Sequence, residues 1–246
     1  AADHPGLAAA ERAILRHTYD TRAWESLCGL AQNLPLERAR PLYERFLRRF
    51  PTAGRYWKYY ADHERRNGDL VRAEQVLERG LASTVSCELW RFFTAFKRDA
   101  LIGSAPGGDT AAPALATSPT AEAYDATEAA FGRALDEVGG SIDALPLWQA
   151  FIDFFNGRLE AATTQYDQGS LQNKLRGVYQ RAIKQPMDGV PTVWAAYEAF
   201  ERSLVSEGNR ILAERILKDK EPGAKNIIEL ARERAKLYEG ISLTLL

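Results

Sequence analysis

The sequence has little of what builds metal centres, disulfide frameworks or membrane spans. Its 246 residues include two cysteines, three histidines and one methionine. Two cysteines cannot form a metal cluster or a dense disulfide framework, so Cys28 and Cys87 are expected to be reduced packing residues. No apolar run approaches the roughly 18–20 residues that a membrane span needs, and no signal peptide is visible. These shortages predict a soluble globular protein without membrane contact.

The chain also has almost no net charge. Its 32 Lys and Arg oppose 33 Asp and Glu, a formal charge of −1. Such a chain has no overall attraction for nucleic acid or for an anionic membrane. The neutrality conceals two regions of opposite sign: residues 34–81 hold eleven basic and seven acidic residues, and residues 99–170 hold two and eleven. Regions of this kind favour docking of electrostatically complementary proteins, or they are simply solvated faces.

No combination of residues indicates an enzyme. Residues 103–110, GSAPGGDT, have the glycine spacing of a phosphate loop, but Asp109 stands where a lysine should neutralise the phosphate. His4, His17 and His63 have no Cys or His at metal-ligand spacing. We therefore expect a non-enzymatic protein with no catalytic, cofactor-binding or metal-binding residues.

What the sequence does contain is a repeat marked by its five tryptophans. Their intervals are 33, 33, 58 and 46 residues, and repeats of two helices have periods of about 33–47 residues. Three positions after each Trp stands a large residue, which lies on the same helix face. Recurrence in every repeat favours packing over a base-stacking platform. The predicted structural positions are Trp24, Trp57, Tyr60, Trp90, Phe93, Trp148, Phe151, Trp194 and Tyr197.

A second segment with helical periodicity follows each tryptophan segment. In residues 36–47, for example, apolar side chains recur at steps of three and four residues. Pro186 and Pro222-Gly223 are predicted to end two of these second helices, with a final helix after the latter. No segment alternates with period two, so no strand is predicted. The sequence thus predicts an all-α fold, a right-handed superhelical solenoid of about five helix pairs plus a terminal helix.

Two insertions interrupt the repeat. Residues 101–121 are rich in Ala, Gly, Pro, Ser and Thr and are predicted to be flexible. A shorter, polar insertion is predicted at about residues 156–170. The repeat resumes in phase after each, so residues 1–246 are predicted to be a single repeat domain.

The residues of both helices resemble the half-a-TPR (HAT) repeat. The first helix carries Trp, an aromatic residue and Glu, as in Trp57, Tyr60 and Glu64, and the second carries runs such as ARPLYER. The runs AQNLPLERARPLYERFLRRFPTAGRYWKYYADHE and LRGVYQRAIKQPMDGVPTVWAAYEAFE resemble the suppressor-of-forked family, that of the large HAT-repeat subunit of cleavage stimulation factor. The resemblance covers roughly residues 11–240.

The resemblance implies a nuclear scaffold of pre-mRNA 3′-end cleavage and polyadenylation. Its partners would be other subunits of the cleavage stimulation and cleavage/polyadenylation specificity factors. It also implies that this chain is the N-terminal half of a longer, homodimeric protein, and that this half alone is monomeric.

Two alternatives to this scaffold stay open. One is a HAT-repeat scaffold of the spliceosome, and the other is direct RNA binding by the Arg-rich helix of residues 37–49. For the 3′-end processing scaffold itself, we expect RNA contact to be indirect or weak. The candidate residues for contact with a partner or RNA are Arg38, Arg45, Arg48 and Arg49.

Overall fold

The fold is built from α-helices alone in the part of the chain that the structure describes. A computed structural model describes residues 5–103, 119–204 and 210–239, and these form eleven helices and no strand. The helices are α1 (Pro5–Arg16), α2 (Thr21–Ala31), α3 (Leu36–Arg49), α4 (Gly54–Arg66), α5 (Leu70–Ser83), α6 (Cys87–Ile102), α7 (Ala121–Val138), α8 (Leu145–Ala161), α9 (Gln165–Ala182), α10 (Val190–Ser203) and α11 (Arg210–Glu239). Among these described helices, none has the combination of length and hydropathy that a bilayer span requires.

The described helices fall into two compact units, one ending at Tyr124 and the other beginning at Asp125. In the first unit, each helix from α1 to α5 packs against the next one along the chain, and α6 packs against both α4 and α5. In the second unit, α9 packs against α8 and α10, and α10 packs against α11. Packing of neighbours in chain order is typical of helical repeat proteins. The single domain of residues 1–246 stays a prediction.

Helices α2 to α11 alternate in chain order between two kinds, which we call A helices (α2, α4, α6, α8 and α10) and B helices (α3, α5, α7, α9 and α11). Four A helices pack against the B helix that follows them, in the pairs α2–α3, α4–α5, α8–α9 and α10–α11. Every A helix carries one of the five tryptophans. The prediction of an all-α fold of helix pairs is therefore confirmed. The additional helix is α1, which precedes the first pair, rather than a helix that follows the last one.

The predicted helix end at Pro222-Gly223 was wrong, because α11 continues through this site to Glu239. The buried residues of α11 are Ala213, Leu217, Ala224 and Ala231. They are four or seven residues apart, so they lie on one face that continues on both sides of the proline. Burial of this face offsets the single backbone hydrogen bond that a proline removes.

The shorter predicted insertion, residues 156–170, is mostly helical. Helix α8 ends at Ala161 and α9 begins at Gln165. Thr164 caps α9, since its hydroxyl accepts a hydrogen bond from the N–H of Asp167 at 3.1 Å. The additional residues therefore lengthen two helices, which accounts for the longer interval between tryptophans.

The longer predicted insertion lies mostly outside the described residues. Helix α6 ends at Ile102 and α7 begins at Ala121, and residues 104–118 between them are not described. The segment with the glycine spacing of a phosphate loop, residues 103–110, falls there as well, apart from Gly103.

The predicted structural positions lie in the cores of the two units, with one partial exception. Eight of the nine are at most 6% exposed, and Trp194 is half-buried. Trp57 of α4 packs so closely on Gly80 of α5 that a Cβ atom at Gly80 would lie 2.7 Å from the Trp57 Cγ atom. A glycine on the B helix thus makes room for the indole of the A helix.

Candidate protein-interaction surface

Three of the tryptophans are held by the same kind of hydrogen bond. Each indole N–H donates to a backbone carbonyl oxygen of the segment that precedes its A helix. The donor and acceptor residues are Trp24 and Thr18 (2.9 Å), Trp57 and Pro51 (2.8 Å), and Trp148 and Gly139 (2.9 Å). A buried indole N–H needs such a partner. These side chains therefore fasten each A helix to the connection before it, in addition to filling the core.

An arginine from the B helix of the same pair covers each of these indoles. The arginine and ring pairs are Arg45 and Trp24 (5.3 Å), Arg79 and Trp57 (5.2 Å), and Arg181 and Trp148 (5.4 Å). At these distances the cation is attracted by the face of the ring. Each arginine also donates a hydrogen bond to a carboxylate: Glu11 (2.9 Å), Glu44 (2.8 Å) and Asp136 (2.6 Å), respectively. Each of these guanidinium groups therefore joins helices of the fold, through its ring contact and its carboxylate partner.

The same contacts define the place of α1. Glu44 belongs to α3 and Asp136 to α7, the B helices that precede the pairs of Arg79 and Arg181. Glu11, which binds Arg45, belongs to α1, so α1 takes the place of a B helix before the first pair. This helix was not predicted from the sequence. Its buried Ala10 and Ile14, four residues apart, are the signal that could have indicated it.

The three arginine-bound carboxylates differ in their surroundings. The hydrogen bonds from Arg79 lower the pKa of Glu44, against the opposing effect of burial. The side chain of Glu44 is only partly exposed, whereas that of Asp136 extends largely into solvent. The Glu44 pair is therefore less screened by water than the Asp136 pair.

A second set of ion pairs joins a B helix to the A helix of the next pair. Arg40 of α3 donates to both oxygens of Glu64 on α4, at 2.8 and 2.9 Å. Arg176 of α9 does the same for Glu201 on α10, at 2.6 and 3.1 Å. The side chains of Glu64 and Glu201 are 0% and 2% exposed. Both glutamates stand seven residues after the tryptophan of their helix, so the Glu of the HAT-like pattern is a buried residue between repeats.

At the corresponding position of α6 the charges are exchanged. Lys97 stands seven residues after Trp90 and donates a hydrogen bond to Glu74 of α5 at 2.7 Å. The cation now comes from the A helix and the anion from the B helix. The contact between neighbouring pairs is preserved while its polarity is reversed.

The four candidate arginines on α3 have different surroundings. Arg45 covers Trp24 and binds Glu11, as described above. The Arg49 guanidinium lies 3.8 Å from the ring centroid of Tyr19. Arg48 is exposed and Arg38 is half-buried. Within the described part of the chain, Arg48 and Arg49 bind no acidic side chain, and both residues are exposed.

A groove runs between α1 and α3 in the first unit. Its volume is about 420 Å³, and we call it the α1–α3 groove. It is lined by Glu11, Ile14, Leu15, Thr18, Trp24, Arg45, Arg48 and Arg49. Leu15 is 83% exposed, and Tyr19, beside Arg49, is 68% exposed. Three of the four candidate arginines are thus brought together with exposed apolar side chains.

A second groove, of about 560 Å³, lies between α7 and α9 in the second unit. Its lining includes Trp148, Phe151 and Phe155 of α8, with Gly132 and Gly177 on the flanking helices. A Cβ atom at either glycine would meet open space, so the missing side chains widen this groove. Lys174 and Glu128, 2.8 Å apart, form an ion pair within it. Its charges are therefore largely balanced.

The described residues offer little for catalysis. No group of three or more His, Cys, Asp or Glu among them could hold a metal ion. Cys28 and Cys87 are not joined in a disulfide, and burial raises the pKa of Cys28 to about 12, which keeps it protonated and unreactive. His63 is buried and His17 is exposed, while His4 lies outside the described residues.

Known proteins from an animal, a plant and a fungus are similar to this chain. Protein suppressor of forked of Drosophila melanogaster is 26% identical over 239 residues, which are 97% of this chain and 28% of the relative. Cleavage stimulation factor subunit 77 of Arabidopsis thaliana is 29% identical over 224 residues, 90% of this chain and 27% of the relative. mRNA 3′-end-processing protein RNA14 of Gibberella zeae is 26% identical over 205 residues, 82% of this chain and 19% of the relative.

The chain thus spans between 19% and 28% of the length of these relatives. Its match to one protein family is more extensive. Residues 6–246, nearly the entire chain, match the family described as Suppressor of forked protein (Suf). The resemblance found in the two HAT-like runs is therefore confirmed, and the chain belongs to the suppressor of forked family.

Proposed function

We propose that this chain is a protein-interaction scaffold in pre-mRNA 3′-end cleavage and polyadenylation, and that it acts in the nucleus. The observation that carries the proposal is the family match over residues 6–246. The names of two relatives, a cleavage stimulation factor subunit and an mRNA 3′-end-processing protein, support the same process.

The use of the reactive and charged side chains supports binding rather than catalysis. The repeated arginines and carboxylates hold helices together, and the thiol of Cys28 is buried. What remains for other molecules is the outer surface of the helix pairs and the grooves between B helices. Repeat proteins use surfaces of this kind for binding, with affinity concentrated in a few anchor residues.

The partners that we propose are other subunits of the cleavage stimulation and cleavage/polyadenylation specificity factors. We further propose that the full-length protein is a homodimer and that this part alone is monomeric, as the family resemblance implies. RNA contact is indirect or weak in this proposal. In support, Arg40 and Arg45, two arginines of the helix at residues 37–49, already bind Glu64 and Glu11.

The proposal is tested by tagging the full-length protein in cells of its own source and by tagging residues 1–246 alone. We expect 3′-end processing factors to co-purify with both. Depletion of the protein should reduce 3′-end cleavage of a reporter pre-mRNA and leave splicing of a second reporter unchanged. Co-purification of spliceosomal proteins, with a splicing defect and normal 3′-end cleavage, would instead establish the spliceosome alternative.

A further inference from the structure

We propose that the α1–α3 groove binds an acidic peptide segment of a partner protein, and that a large apolar side chain of this peptide is its anchor. The inference rests on the scaffold function proposed above and names the surface and the chemistry of one partner. Three features carry it: the exposed apolar wall of the groove, its uncompensated positive charge, and the lack of a matching basic pair in α5.

The apolar wall is supplied by α1. Leu15 is 83% exposed, although it lines the groove together with the buried Ile14 and Trp24. A leucine left in water forgoes most of the free energy that its burial would supply. The volume of about 420 Å³ is within the range of sites that take small ligands, and it suits one or two side chains of a peptide. An apolar anchor seated here would cover Leu15.

The charge of the groove selects acidic residues around that anchor. Arg45 is compensated by Glu11, the one acidic residue of the lining. Arg48 and Arg49 have no acidic partner in the described part of the chain, which leaves the lining with two uncompensated positive charges. Guanidinium groups bind carboxylates with two parallel hydrogen bonds, so Asp or Glu residues of a peptide are suitable partners.

These two arginines are not required by the repeat. Aligning Arg45 of α3 with Arg79 of α5 places Ala82 and Ser83 where α3 has Arg48 and Arg49. The packing role of Arg45 is thus repeated in α5, whereas the basic pair is found in α3 alone of these two helices. A pair of charges without an acidic partner in the described part of the chain is available for a ligand.

The contacts of the aromatic rings favour a peptide over RNA. Single-stranded RNA is bound chiefly by stacking of bases on exposed aromatic faces along a basic track. Here Arg45 covers Trp24 and Arg49 covers Tyr19, so a face of each ring is already occupied. The exposed aliphatic side chain of Leu15 offers nothing to a phosphate. The groove therefore fits an acidic, apolar peptide better than a nucleic acid strand.

The test uses the 246-residue chain and a displayed library of random 12-residue peptides. Peptides are selected on the wild-type chain after removal of those that bind the double variant Arg48→Glu, Arg49→Glu. We expect the selected peptides to be rich in Asp and Glu around at least one large apolar residue. Fluorescence anisotropy of one selected peptide should show binding at least about tenfold weaker for the double variant. Leu15→Ser should also weaken it, because the apolar wall is lost.

A matched control keeps the test specific. Arg55→Glu with Arg91→Glu changes the net charge equally at exposed arginines of α4 and α6, and it should alter peptide affinity by less than about twofold. Circular dichroism confirms that all variants fold.

The inference is overturned if no acidic, apolar peptides are selected, or if the control weakens binding as much as the double variant. It is also overturned if a 12-nucleotide single-stranded RNA binds more tightly with the same dependence on Arg48 and Arg49.

The two proposals fail in different ways. If processing factors co-purify with residues 1–246 but peptide selection fails, the scaffold function stands and the groove inference falls. If no processing factor co-purifies with the tagged wild-type protein, the scaffold function falls, whatever the peptides show.

Discussion

Arg176 of α9 donates hydrogen bonds to both carboxylate oxygens of Glu201 on α10, and only 2% of the Glu201 side chain is exposed. The two helices belong to successive pairs, so this ion pair lies at a junction between repeats. A buried carboxylate is costly unless it is both paired and hydrogen-bonded. The junction therefore depends on Arg176 in a way that an exposed ion pair would not.

Arg176→Ala is expected to lower the free energy of unfolding by about 3 kcal/mol, because it leaves Glu201 buried without its cation. Arg202→Ala is the matched control. Arg202 and Glu198 are 3.5 Å apart on the exposed side of α10, and the loss should be below about 0.5 kcal/mol. Urea unfolding followed by circular dichroism measures both. Equal losses would contradict the special role of the buried pair.

Gly80→Ala is expected to destabilise the protein by about 1–2 kcal/mol. The added methyl group would press on the Trp57 indole, and this cost exceeds the gain in helix propensity. Gly29→Ala is the control in the same unit, because a Cβ atom there meets open space. That change should stabilise the protein by about 0.5–1 kcal/mol. A stabilising Gly80→Ala would show that the indole can move away.

Trp57→Ala is expected to cost about 3–5 kcal/mol, since it opens a cavity in the core of the first unit. Trp194→Ala should cost less, because that indole is half-buried. Denaturant unfolding of both variants compares them directly. A loss under about 1 kcal/mol for Trp57→Ala would contradict its assignment as a core position.

The stability of the protein is expected to fall as the pH is lowered below about 6.5, the ordinary pKa of histidine. Burial, followed by the charge of Arg66, lowers the pKa of His63 in the folded state. The pKa of His63 is thus lower in the folded chain than in the unfolded chain. Between these two pKa values the unfolded chain binds the proton more readily, so stability is lost as the pH falls through the folded-state pKa. His63→Gln should remove this dependence. The free energy of unfolding at pH 7.5, 6.5 and 5.5 checks it, and an unchanged slope in the variant would assign the effect to other groups.

Residues 1–246 alone are expected to be monomeric in solution. Light scattering at high protein concentration should give a mass near 27.4 kDa. Twice this mass would contradict the proposal that the dimer contacts lie in another part of the full-length protein.

The aromatic spacing was enough to predict the alternation of helices. Trp57 and Tyr60 are three residues apart, so they lie on the same helix face, and two large aromatic side chains on one face indicate that this face is packed. The partner of Glu64 could not be predicted, because Arg40 lies 24 residues earlier and several arginines of the same helix were equally available. The crowding of arginines on α3 likewise did not distinguish Arg45, which serves packing, from Arg48, which faces solvent. That distinction depends on which side of α3 the neighbouring helices cover.

Helix α11 shows a different limit of sequence patterns. Proline and glycine are local signals, and at Pro222-Gly223 they indicated a helix end. The apolar face formed by Leu217, Ala224 and Ala231 is a tertiary feature, and it overrides the local signal. Helix α1 was missed for a related reason, because its pairing with Arg45 is visible only once α3 is in place.

The exchanged polarity of Glu74 and Lys97 has a consequence for assembly. If α6 docked onto α3 in the place of α4, Lys97 would face Arg40, and if α4 docked behind α5, Glu64 would face Glu74. Similar aromatic faces recur in these helices, so hydrophobic packing alone distinguishes poorly between a correct and an incorrect neighbour. Repulsion between like charges makes the wrong order unfavourable. The order of charges thus opposes an exchange of α4 and α6 as the chain folds.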